Sequence, residues 1–284
     1  MLSTPIVFII YNRPNQTLRV FDMIRKVQPQ QLFIIADGAK NENDLKKVIE
    51  TRKITENIDW NCTIKTNFSE NNMGCAKRII TGLNWVFENV DKAIILEDDC
   101  LPNLSFFNYC EELLNYYEKD TDVMHISGFN IMGSCEINSS YFFSKHLLPP
   151  WGWATWKRSW EFHNPNLDTW QQIKTWAYQN ISQEFFKDWT DMFENVRINQ
   201  TTWDVSWNTD LWKNNGLCII PKKNLVQNIG FGEDATFTKN TNSKLAEIQA
   251  QFCTQPMSHP VIKSTNFDFL IEKILVESLR INAI

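Results

Sequence analysis

The chain has 284 residues, long enough to bury a sizeable core, and its 28 basic and 33 acidic side chains leave a net charge of −5. That balance excludes a generally basic nucleic-acid binder, so no nucleic-acid partner is expected. Hydrophobic residues at 43% and charged residues at 21% exclude a mainly disordered chain.

The first strand is Pro5-Ile6-Val7-Phe8-Ile9-Ile10, a short apolar, β-branched run that stops at Asn12-Arg13-Pro14. Asn15 then opens a helix with apolar positions at Leu18, Phe21, Met23 and Ile24. Leu32 to Ala36 reads as a second buried strand ending at Asp37-Gly38, followed by charged, helical-period sequence from Asn43 to Asn57. A third strand is placed at Cys62–Lys65 and a helix at Cys75–Glu88 after Met73-Gly74. Ala93-Ile94-Ile95-Leu96 is a fourth strand, running into Glu97-Asp98-Asp99. Pro102 opens another helix and Val123–Ser127 is a fifth strand. Strand and helix alternating in this way predict an α/β fold with a parallel sheet between helices. Ligands bind such sheets at the carboxyl ends of the strands, which here carry Asn12, Arg13, Asp37 and Glu97 to Asp99.

From about Ser139 the alternation stops and tryptophans crowd in, notably at Leu148-Pro149-Pro150-Trp151-Gly152-Trp153-Ala154-Thr155-Trp156. Helices are expected over 170–180, 184–195 and 204–214, a short strand over 218–221, and an amphipathic helix over 267–279. The organisation expected is a nucleotide-binding-type half, residues 1–130, continuous with an acceptor-type half, residues 131–284. Seven cysteines at wide spacings, none in a CxxC pair, argue against a zinc site or a disulfide framework. The N-terminus lacks a basic n-region, and no run of ~18 apolar residues exists. A cytoplasmic protein without a transmembrane segment is the expectation, with any membrane contact peripheral.

Three consecutive carboxylates after a buried strand repel one another at a sheet mouth unless a cation sits there. Hard carboxylate oxygens suit Mg²⁺ or Mn²⁺, ions that usually share their shell with substrate phosphates. The plainer alternative is a solvated acidic turn. The run Ile94–Asp99 resembles the strand and DxD-type motif of GT-A glycosyltransferases, and its Glu-Asp-Asp form is similar to that of the N-acetylglucosaminyltransferase I family. Asn12-Arg13, Asp37, Asn71-Asn72-Met73-Gly74-Cys75-Ala76-Lys77-Arg78, Pro150-Trp151-Gly152-Trp153 and Trp203-Asp204 match in the same order. The Asn228-Ile229-Gly230-Phe231-Gly232-Glu233-Asp234 segment resembles related bacterial glycosyltransferases.

The resemblance implies a Rossmann-like, mostly parallel sheet flanked by helices. It also implies a nucleotide-sugar donor, a glycan acceptor and a Mn²⁺ or Mg²⁺ cofactor. By residue, it implies Asp99 as metal ligand, Asp98 toward the ribose, and Glu97 toward the donor sugar. Asn12, Arg13 and Arg78 would approach the diphosphate, and Asp37 the base ring. Trp151, Trp153, Glu233 and Asp234 would line the acceptor side. Of the candidate bases for an inverting transfer, Asp204, Asp210, Glu233 and Asp234, the resemblance favours Asp204, with Glu233-Asp234 the second choice. Two other classes compete. A nucleotidyltransferase would carry a Gly-rich basic loop where Tyr11-Asn12-Arg13-Pro14 stands. A non-catalytic carbohydrate-binding protein would leave the three carboxylates without a role.

Overall fold

A computed structural model describes residues 1–165, 168–199, 201–232 and 243–282. Its centre is an eight-stranded sheet of order β3-β2-β1-β4-β8-β6-β9-β7. The first four strands are β1 (Ile6–Ile10), β2 (Gln31–Ala36), β3 (Thr63–Phe68) and β4 (Lys92–Glu97), all mutually parallel. Between them run helices α1 (Pro14–Val27), α2 (Glu42–Ile54) and α3 (Cys75–Phe87). After β5 (Cys100–Pro102) come α4 (Leu104–Tyr116) and β6 (Val123–Ser127).

The second half completes the same sheet. Strands β7 (Tyr141–Ser144) and β8 (Trp153–Trp156) run antiparallel to their neighbours, and β9 (Leu217–Pro221) runs parallel to β6. Helices α5 (Lys157–Trp160), α6 (Thr169–Asn180), α7 (Gln183–Asn199) and α8 (Asp204–Lys213) lie between β8 and β9. β10 (Val226–Asn228) pairs with β5 as a separate two-stranded ribbon, and α9 (Asp268–Asn282) follows. This is the Rossmann-like, mostly parallel, helix-flanked sheet expected, with one correction. Alternation predicted parallel strands, whereas β8 enters antiparallel between β4 and β6 and joins residues of both halves into one sheet.

Period-two alternation places the core on both faces of β1. Ile6, Phe8 and Ile10 pack with Val20, Phe21 and Ile24 of α1 and with Phe106 and Leu113 of α4. Val7 and Ile9 face the other way, onto Ile79, Leu83 and Val86 of α3 and Trp207 and Leu211 of α8. A strand with both faces covered must be apolar throughout, which is why IVFII carries no polar residue. Helix starts follow local chemistry: Pro14 opens α1, and the Asn41 and Asn103 side chains accept amide hydrogens at the starts of α2 and α4. All seven cysteines are unpaired, as expected. Among the described residues no helix is long and apolar enough to cross a membrane.

The tryptophans divide between core and surface. Trp153 is 1% exposed, with its ring 5.0 Å from His125 and 5.1 Å from Trp203, both nearly parallel to it. The expectation that it lines an open acceptor cleft is therefore corrected: the pleat of β8 turns it into the core. Trp151, one residue before Gly152, is half-buried instead, between Phe129 and Phe231. Trp156 is buried, and its indole N–H donates to the Leu114 carbonyl. Trp153→Ala should thus cost about 3–5 kcal/mol of unfolding free energy, as deleting a buried indole does. Chemical denaturation checks this, and a loss below about 1 kcal/mol would return Trp153 to the cleft.

Candidate functional site

Register sets the site. Ile9 lies opposite Glu97 on one side of β1, and Ile10 opposite Ala36 on the other. The chain segments that follow, 11–13, 37–38 and 97–99, therefore leave the sheet side by side at its carboxyl edge.

Arg13 and the acidic turn meet there. Arg13 Nη1 lies 2.5 Å from Asp99 Oδ2 and 3.6 Å from Asp98 Oδ1. Asp98 also accepts the Tyr11 amide hydrogen at 2.9 Å. The turn is pinned from the far side by the β5–β10 ribbon, where the Ile229 amide donates to the Asp99 carbonyl at 2.8 Å. This brings Gly230 against the carboxylate: a Cβ at that position would fall 2.1 Å from Asp99 Oδ2. Only a residue without a side chain fits.

Asp204, 105 residues after Asp99 in the chain, stands at the first position of α8 and comes close enough to influence Glu97 electrostatically. Its Oδ1 accepts from the Thr202 hydroxyl and from the Val205 amide at 3.1 Å, which fixes the side chain. Burial pushes its pKa up, and those hydrogen bonds only partly offset the rise. The structure thus brings Arg13, Glu97, Asp98, Asp99 and Asp204 together. Cys75, the first residue of α3, joins them: burial, then Glu97, Asp204 and Asp99, push its thiol up and keep it neutral.

The electrostatics are those of crowded negative charge. Glu97 is pushed well above the usual carboxylate range by burial, then by Asp99, Asp98 and Asp204. Burial and Asp99 push Asp98 up to about 7, against the pull of Arg13 and the Tyr11 amide. Burial alone would lower the Arg13 pKa, but Asp99 and Asp98 more than reverse that and hold the guanidinium charged.

Asp37 is hydrogen-bonded into its own turn, and Arg78 is turned inward. The Asp37 carboxylate accepts from three backbone amides, those of Gly38 (2.9 Å), Met73 (2.9 Å) and Gly74 (3.0 Å). It fastens the 71–74 loop, while Asn72 donates to it, to the Gly38 carbonyl and to the Tyr11 hydroxyl. Arg78 is corrected as a phosphate ligand. It is 5% exposed, its Nε donates to the Ala36 carbonyl at 3.1 Å, and its Nη2 donates to the Asn67 side chain at 2.8 Å. Its side chain staples the ends of β2 and β3. Asn12 donates to Asp44 of α2, which also accepts the Tyr11 hydroxyl and the Lys40 amide. Glu233 and Asp234 lie outside the described residues.

Tyr11, Asp44, Asn72, Cys75 and Gly230 are the neighbours that sequence reasoning left without roles. Cys75 and Gly230 fell inside segments already singled out, but nothing in their type announced a contact. Asp44 carried only the ordinary signal of an acidic residue in a first helical turn.

The donor set bears on a divalent ion. Asp98 and Asp99 share the Arg13 guanidinium, Asp204 lies within electrostatic reach of Glu97, and hard carboxylate oxygens suit Mg²⁺ or Mn²⁺. Among the described residues, no three His, Cys, Asp or Glu side chains converge to hold an ion. The chemistry fits an ion with fewer than three protein ligands, its shell completed by phosphate and water.

One pH effect follows. The folded pKa of Asp98, about 7, lies above the ordinary 3.8. The folded state therefore holds the Asp98 proton more tightly than the unfolded chain does. Stability from this group is full below about pH 4, and is lost as pH rises through about 7. Asp98→Asn should raise the melting temperature of the ion-free protein at pH 8, with the gain shrinking toward pH 4. A pH-independent difference would contradict this.

No family model matches the chain, and no curated protein matches it. Among solved structures it is similar to a UDP-glucose pyrophosphorylase complexed with UDP-glucose. The identity is 8% over 80% of this chain and 94% of that one, with a TM-score of 0.43. An active-site mutant of LgtC aligns at 12% identity over 63% of this chain and 66% of that one, with a TM-score of 0.35. Both likenesses are remote, and the roles of the site residues rest on their own geometry.

Proposed function

We propose that the chain is an inverting glycosyltransferase moving a sugar from a nucleotide donor, of the UDP-sugar type, to a glycan hydroxyl. The observation that carries this is the meeting of Asp204 with the Arg13–Glu97–Asp98–Asp99 cluster. A carboxylate from the second half of the chain lies within electrostatic reach of Glu97, the first residue of the acidic turn that Arg13 pairs with. The ordered motifs that resemble GT-A enzymes support the same conclusion.

The chemistry asked of these residues is limited. Displacement at the anomeric carbon needs a base for the acceptor hydroxyl on the face opposite the leaving group. Asp204 takes that proton; its raised pKa brings it nearer to neutrality, and Thr202 and Val205 hold its rotamer. Negative charge builds on the departing diphosphate, and Arg13 is the guanidinium placed to offer it charge-assisted hydrogen bonds. Asp99, with Asp98 beside it, would hold the divalent ion, which when bound neutralises phosphate charge as a Lewis acid. Glu97 faces the donor sugar, and half-buried Trp151 offers an indole face to the acceptor. Tyr11 and Asn72 border the Asp37 turn, where the base ring would lie.

Calorimetry with UDP, with and without Mn²⁺, tests the donor site. Asp99→Ala should abolish the Mn²⁺-dependent part of UDP affinity while the melting curve stays cooperative. Mn²⁺-dependent affinity equal to that of the unsubstituted protein would refute the assignment. Asp204→Asn should lower turnover about 10²–10⁴-fold, the usual contribution of a positioned base, and leave UDP affinity nearly unchanged. A screen of sugar nucleotides for transfer supplies the turnover assay. Incorporation of sugar 1-phosphate into UDP-sugar from UTP, without transfer, would instead establish a nucleotidyltransferase.

A further inference from the structure

We infer that Arg13 is the resident counter-ion of Asp99 in the free protein, so that a divalent ion must displace it and a nucleotide diphosphate helps by drawing it away. This rests on the glycosyltransferase reading above and adds a rule for how its ligands bind.

The contact is close and directed. Arg13 Nη1 stands 2.5 Å from Asp99 Oδ2, and the arginine side chain is 17% exposed. The other approaches to that carboxylate are restricted. Gly230 presses on Oδ2, as the 2.1 Å distance to an added Cβ shows, and the Cys100 thiol lies 3.5 Å from Oδ1. A divalent ion and a guanidinium, both positive, compete for the same oxygen. Nearby Asp98 is engaged by the same groups: its Oδ2 accepts the Tyr11 amide hydrogen and its Oδ1 lies 3.6 Å from Arg13 Nη1.

Arg13 can leave without moving the backbone. It precedes Pro14, which starts α1, and its carbonyl accepts the Thr17 amide at 2.9 Å. The main chain is therefore anchored in the first helical turn, and release requires only rotation of side-chain torsions. A diphosphate carries more charge than one carboxylate and matches the planar guanidinium fork. It can attract Arg13 and uncover Asp99 in one event. Linkage then requires reciprocity: the factor by which nucleotide raises ion affinity equals the factor by which the ion raises nucleotide affinity.

The contribution of Arg13 separates from direct phosphate–ion contact in the absence of nucleotide. Mn²⁺ binding is read from the loss of the free-ion electron paramagnetic resonance signal, with and without UDP, for the unsubstituted protein, Arg13→Met and Arg13→Lys. Without UDP, Arg13→Met should bind Mn²⁺ roughly 5–150-fold more tightly, the usual range of a coupling between sites. Arg13→Lys, which keeps a cation, should stay near the unsubstituted value. Equal or weaker nucleotide-free affinity in a cooperatively melting Arg13→Met would overturn the inference while leaving the donor site intact. Absence of Mn²⁺ binding by the unsubstituted protein even with UDP would remove the metal-assisted function and this inference with it. A second measurement covers an Arg13→Met that does not fold. UDP alone, without any divalent ion, should shift the Arg13 Nε–H resonance of the unsubstituted protein, assigned by its loss in Arg13→Lys. An unmoved resonance at saturating UDP would also overturn the inference.

Discussion

Everything at the carboxyl edge depends on the level pairing of β1 with β2 and β4. With Ile10 opposite Ala36 and Ile9 opposite Glu97, three chain segments emerge together rather than in steps. A slip of one residue in β4 would exchange its two faces and carry Asp98 and Asp99 away from Arg13. The pairing is well specified because both faces of β1 are buried, so each alternate side chain has a helix waiting for it. Burial in the sheet is thus the cause of charge crowding at its end.

The second half supports that edge from two directions. β8 lies against β4 with Trp153 opposite Ile95, so the aromatic layer beneath α8 is continuous with the strand that ends in the acidic turn. Trp153, Trp160, Trp203 and Trp207 pack together there, and the helix they hold begins with Asp204. The position of Asp204 near Glu97 is therefore a product of tryptophan packing rather than of any direct bond to the acidic turn. From the other direction, the β5–β10 ribbon fixes the backbone of Asp99 through Ile229. These two supports are separate, which allows the acidic turn and Asp204 to be held by different parts of one core.

Sequence periodicity revealed the elements whose partners are local or whose two faces are buried. β1, β2 and β4 stood out as unbroken apolar runs, and the polar residues just after them proved to be neighbours. β5, β8 and β10 did not stand out. Each is three or four residues long, and each exists because a distant strand pairs with it. Trp151 and Trp153 illustrate the limit: adjacent in pattern, they are separated in fate by the bend at Gly152, whose φ of 68° lies in the left-handed region. Arg78 failed for a related reason. A basic residue in the first turns of a helix at a sheet edge suits a phosphate equally well, and only the three-dimensional path shows it turned to the Ala36 carbonyl.

The contact of Gly230 with Asp99 ties two distant codons into one inherited unit. No side chain can arise at 230 while the carboxylate at 99 keeps its place, because the first added carbon would land on the oxygen itself. Shortening the side chain at 99 to alanine does not by itself free 230, because an added Cβ there would still fall 2.8 Å from the Cβ at 99. Lineages descending from this chain therefore inherit the two positions together. Those that retain the acid in this place must retain the glycine, 131 residues away in the chain. A glycine that looks like an ordinary loop residue is, in hereditary terms, a condition for keeping the acid where it stands.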